Sequence, residues 1–83
     1  MKQLARTPKD IGHAIREARK EQRLSQTELA SRSGLWQETI SKLENGVAST
    51  KLETLFDLLA ALDLEILVRS RSKGVPSSME DLF

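Results

Sequence analysis

The run from Leu24 to Gly46, LSQTELASRSGLWQETISKLENG, sets two short helix signals around a single glycine, and this spacing leaves the chain few ways to fold. Ser25 can cap a helix whose third residue, Glu28, reaches back to the capping amide, so a helix start is written in Ser25-Gln26-Thr27-Glu28. Leu29 and Ala30 are its inward residues. Gly34 accepts positive φ at little steric cost, which ends the helix and permits a sharp reversal before Leu35. A second helix follows. Wound at about 100° per residue, it gathers Trp36, Ile40 and Leu43 into one sector and turns Gln37, Glu38, Ser41 and Lys42 to the opposite side. Asn45-Gly46 closes it.

That outward face is polar and short-chained, and its chemistry matches base edges. In a major groove Gln binds adenine bidentately, Lys reaches guanine acceptors, Glu accepts from cytosine and Ser contacts several partners; Thr39 can touch a thymine methyl or a phosphate. Taken singly, each residue reads as ordinary solvated surface. Their joint placement after a capped helix and a glycine turn points to a DNA-reading helix-turn-helix.

The charge distribution agrees. The net charge is only +1, but residues 1–24 hold seven Lys or Arg against three Asp or Glu, leaving an acidic remainder. The basic groups are Lys2, Arg6, Lys9, Arg16, Arg19, Lys20 and Arg23. Phosphate contacts supply much of the affinity of DNA-binding proteins, and a basic first helix can flank a groove-reading element. Enzyme chemistry finds little support, because the chain has no cysteine and one histidine, His13, and shows no triad, paired catalytic carboxylates, phosphate loop or metal-ligand cluster. No cofactor is expected. No apolar run approaches bilayer length and the amino terminus lacks a hydrophobic signal core, so a cytoplasmic protein is expected.

Around the central run the chain reads as a mainly α fold: a compact four-helix domain over residues 7–63, preceded by an arm, residues 1–6. Thr7-Pro8-Lys9-Asp10 starts the first helix, with Thr as cap, Pro at the first position and an early carboxylate at the positive dipole end. Ile11, Ala14, Ile15 and Ala18 form its apolar stripe. Ser49 and Thr50 offer caps for a fourth helix from near Lys51 to about Leu62, with Glu53 three places after Thr50. Leu52, Leu55, Phe56, Leu59 and Leu62 are its expected buried stripe; Leu58, Ala60 and Ala61 widen the apolar face beyond what one small core needs, which suggests a second packing partner.

Residues 64–70 change pattern. In LEILVR, Leu64, Ile66 and Val68 alternate with Glu65, Leu67 and Arg69, which reads as one C-terminal β-strand. A lone strand cannot satisfy its backbone groups inside one subunit, so pairing with a second copy across a twofold axis is expected, Leu64, Ile66, Leu67 and Val68 dimerising; the alternatives are an extended fourth helix or an irregular segment. A dimer also suits 83 residues, since so short a chain buries little core alone. Residues 71–83 are rich in Gly, Pro, Ser and charge and read as a flexible tail, in which Met79, Leu82 and Phe83 can anchor on a partner protein.

Residues 11–62, and LSQTELASRSG with ISKLENG above all, resemble the Cro/C1-type, or Xre-type, helix-turn-helix domains. The resemblance implies that the helix beginning near Gln37 enters the major groove, that the helix beginning near Gln26 supports it and contacts phosphate, and that Arg19 pairs with Glu44. Gln26, Thr27, Trp36, Gln37, Glu38, Thr39, Ser41 and Lys42 are then the DNA-contact candidates. Trp36 departs from the family's small capping residue, and either packs against the domain or lies along a sugar-phosphate backbone. Four helices followed by a strand look like the HipB-type antitoxins. That likeness implies a homodimeric repressor on a palindromic double-stranded operator, partnered by a HipA-type serine/threonine kinase toxin. The competing readings are a toxin-neutralising interaction module with secondary DNA binding, and a general phage-type repressor.

Overall fold

The computed structural model describes residues 3–71, and the expected anchor Met79, Leu82 and Phe83 lies outside them. Four helices make up the fold: α1, Pro8–Glu21; α2, Gln26–Ser33; α3, Gln37–Glu44; and α4, Leu52–Ala61. The first begins as its sequence predicts, with the Thr7 hydroxyl accepting from the Asp10 amide at 3.0 Å and Pro8 in the first position. In α2 the capping box closes in both directions: the Glu28 amide donates to Ser25 Oγ and the Ser25 amide to Glu28 Oε1, each at 3.0 Å. Gly34 then ends α2 at φ 76°, the left-handed conformation that sharpens the reversal into α3.

One core joins the helices. Ile15 and Ala18 of α1, Leu24 of the first turn, Leu29 of α2, Ile40 and Leu43 of α3, and Leu58, Leu59 and Leu62 of α4 and its end are all buried. Gly12 sets how closely α1 approaches α3: a Cβ there would lie 2.8 Å from the Glu44 carbonyl oxygen and still nearer that of Leu43. A glycine inside a helix costs about 1 kcal/mol against alanine, and the contact explains why it stands here. At the far end of α1, Gln22 Nε2 donates to the Leu62 carbonyl at 2.7 Å and ties α1 to the end of α4.

The structure corrects three expectations. Trp36 does not pack against the domain: it is the N-cap of α3, one step outside the helical register, and its side chain is 82% exposed. Thr50 does not cap α4, because the helix starts one residue later than its signal implies: Lys51 takes the cap position without a side-chain bond, and the Thr50 hydroxyl donates to the Val47 carbonyl at 2.9 Å. The buried stripe of α4 is also turned from the expected one. Leu58 is fully buried, whereas Leu52 and Phe56 stay 69% and 51% exposed. Seven of the ten α4 residues are apolar, so two neighbouring stripes were both hydrophobic enough to face inward, and the position of α2 selects the one containing Leu58.

No β-strand occurs among the described residues. Residues 64–70 form neither helix nor strand, for the reason that within one chain their backbone has no neighbouring strand to form a ladder with. Leu64 half-buries against the core, while Leu67 and Val68 are 81% and 88% exposed.

Candidate nucleic-acid interface

Two hydrogen-bonded braces hold α3 against α2. At the base, Arg19 Nε and Nη2 bind Glu44 Oε2 and Oε1 at 2.7 and 3.0 Å, while Arg19 Nη1 donates to the Leu24 carbonyl at 2.9 Å. Gln26 Nε2 donates to the same Glu44 at 3.1 Å. One arginine thus joins α1, the first turn and the last residue of α3, and one glutamine adds the start of α2. This bidentate pair keeps every polar atom satisfied in a buried place, which a point-charge lysine cannot do. The hydrogen-bonded Glu44 carboxylate pushes the Arg19 guanidinium above its ordinary value, which keeps the arginine charged. At the other end, the Thr27 hydroxyl donates to Gln37 Oε1 at 3.1 Å, linking the first turns of α2 and α3.

Beyond these braces α3 turns its polar side to solvent. Gln37, Glu38 and Lys42 are exposed, Thr39 and Ser41 half-exposed, and Ile40, Leu43 and Glu44 buried. Gln37 is positioned rather than consumed by its brace: one lone pair of its carbonyl is used, and both amide hydrogens remain to donate. Glu38 and Lys42 approach to 3.4 Å one helical turn apart, an exposed pair that opens at little cost. Half-buried Gln26 spends one amide hydrogen on Glu44 and keeps the second free to donate. Glu28, serving the α2 cap, has its acidity raised by accepting from the Ser25 amide, which holds it ionised.

The eight candidates therefore lie together on α2's first turn and along α3, with Trp36 at the entrance of α3. Reading the sequence found the Arg19–Glu44 pair through the family resemblance but missed Gln26 as its third member, the Thr27–Gln37 brace and Gly12. Only Gly12 carried a sequence signal, a glycine inside a helical pattern. The two braces join residues ten and eighteen positions apart, a distance no local pattern reveals.

Two short helices joined by a tight glycine turn, the second braced at both ends and polar outward, define a DNA-binding helix-turn-helix protein. The helix-turn-helix family model matches residues 15–68. Antitoxin HipB of Escherichia coli is 32% identical over 74 residues, covering 89% of this chain and 84% of HipB. The uncharacterized HTH-type transcriptional regulator y4dL of Sinorhizobium fredii is 47% identical over 58 residues, 70% of this chain, and the match spans only 30% of that regulator's length. Among solved structures, a chain of the HipA-HipB-O2-O3 complex superposes with a TM-score of 0.77 at 32% identity, covering 83% of this chain and 97% of that one. The chain belongs to the Xre-type helix-turn-helix family. It is a DNA-binding transcription regulator close to the HipB antitoxins, and not an enzyme. No helix among the described residues is long and apolar enough to cross a membrane.

Proposed function

We propose that the protein is a homodimeric repressor of its own operon that also serves as the antitoxin of a HipA-type serine/threonine kinase. The observation that carries the DNA half is the outward face of α3, where Gln37, Glu38, Ser41 and Lys42 stand on a helix braced at both ends, with Thr39 at its edge. Rigid mounting of the reading helix is what converts several weak base contacts into sequence preference. Gln26, Thr27 and the basic groups of α1 position the backbone.

The dimer half is supported by apolar surface that one protomer leaves in water: Leu52 and Phe56 on α4, and Ile66, Leu67 and Val68 beyond it. Pairing of residues 64–70 between two copies satisfies the backbone groups that a single chain cannot. An isologous pair of this kind presents two α3 helices to successive major-groove faces about 34 Å apart and favours a palindromic operator. The toxin half is supported by similarity over most of the chain to HipB, whose structure was solved with HipA. Met79, Leu82 and Phe83 supply an apolar hook for such a kinase.

Gel-shift measurements on the DNA upstream of the gene test the core of this reading. Gln37→Ala is expected to weaken binding by about 1–3 kcal/mol and to relax sequence preference at one position per half-site, with little loss of melting temperature because the Thr27 bond it removes is exposed. An unaltered binding profile would reject Gln37 as a base reader. Deleting residues 77–83 is expected to abolish capture of the kinase and leave operator affinity intact.

A further inference from the structure

We propose that Trp36 is the apolar reader of the operator, its indole resting on the C5-methyl group of a thymine at one position in each half-site. The proposal builds on α3 as the groove-facing helix and adds a large apolar contact to its polar ones.

Neither packing nor capping accounts for Trp36. An indole is among the largest hydrophobic groups a chain can bury, yet this one is 82% exposed. It also occupies the N-cap of α3, where a serine, threonine, aspartate or asparagine would accept from a helix amide; an indole N–H only donates, and α3 has no side-chain cap. The fold forgoes two stabilising contributions at one residue, and among the described residues the side chain has no packing partner.

Its place and chemistry narrow the choice of partner. Trp36 immediately precedes Gln37, at the N-terminal end of the helix, the end from which reading helices contact base edges. The other groups exposed along α3 are an amide, a carboxylate and an ammonium, with the hydroxyls of Thr39 and Ser41 half-exposed beside them, and each finds its complement in a polar base edge. To the one apolar feature of the major groove, the thymine methyl, Thr39 offers a single half-exposed methyl group, whereas Trp36 offers an exposed indole face. A phosphate, charged and hydrated, returns little to an indole face for the water it displaces. Leu52 and Phe56, the other large apolar groups exposed on a helix, stand on α4 and not on the reading helix.

The test is a methyl scan. Operator duplexes in which each thymine is replaced singly by deoxyuridine are titrated with the full chain and with Trp36→Ala and Trp36→Ser. At one position per half-site, loss of the methyl is expected to weaken wild-type binding about fourfold and to leave both variants unaffected, because they have already lost the contact. Trp36→Ser restores a capping hydroxyl and is expected to melt no lower than the wild type, which separates lost reading from lost fold. Trp36 is the chain's only tryptophan, so its emission is expected to shift to the blue as duplex is added. A methyl scan identical in wild type and variants overturns the proposal, as does uniform weakening of every duplex by Trp36→Ala, which would assign the indole to the sugar-phosphate backbone. Unchanged emission on a duplex that is demonstrably bound also overturns it. Absence of any shifted band at low salt would instead overturn the reading of α3 as a DNA helix, and this proposal with it.

Discussion

Arg19 and Glu44 show how one buried residue pair can fix the placement of α3. Their side chains are 11% and 3% exposed, and the guanidinium fork spends two bonds on the Glu44 carboxylate and one on the Leu24 carbonyl. A buried pair contributes little over a well-packed apolar substitute, but removal of one member leaves the other charged, desolvated and alone. Arg19→Met is therefore expected to destabilise the protein by about 3–5 kcal/mol, a large part of what a domain of this size possesses. Chemical denaturation of the two proteins checks the figure. A loss below about 1 kcal/mol would mean that the pair behaves as surface charge, contrary to its burial.

At the scale of elements, two glycines carry the geometry for different reasons, and alanine replacements tell them apart. Gly34 needs only its backbone angle, φ 76°, since a Cβ there would meet nothing within 4 Å. Gly34→Ala is expected to cost about 1 kcal/mol. Gly12 has ordinary helical angles but lies against the carbonyls of Leu43 and Glu44, where a methyl forces α1 and α3 apart. Gly12→Ala is expected to lower the melting temperature further than Gly34→Ala does, and to disturb the Arg19–Glu44 brace as well. The reverse order of melting temperatures would reject the close helix crossing as the reason for Gly12. Capping signals were legible in the sequence because they are local: Thr7 and Ser25 act within four residues of their partners. Thr50 offered the same signal and failed, because the chain leading from α3 places Lys51 and not Thr50 at the cap position of α4.

The whole molecule presents apolar surface at Leu67 and Val68 that is almost fully in water within one protomer. Replacing both residues with glutamate touches no core contact, so the protomer fold should survive while an intersubunit ribbon would not. Leu67→Glu with Val68→Glu is expected to leave helical circular dichroism unchanged, to shift the mass measured by light scattering from two chains to one, and to reduce operator affinity steeply, since a single protomer presents one reading helix. A double variant that remains dimeric would place the dimer interface elsewhere, with Leu52 and Phe56 of α4 the next surface to test.

The pattern of caps, the glycine turn and the polar period of α3 were determined by the sequence itself, because each depends on residues within a turn or two of one another. The class of protein follows from that local text. Tertiary structure alone decided which of two apolar stripes on α4 faces inward, that Gln26 joins Arg19 at Glu44, that Thr27 steadies Gln37, and that Trp36 stands out in solvent. Each of these depends on which distant segment arrives alongside, and a helical period specifies a face without specifying its neighbour.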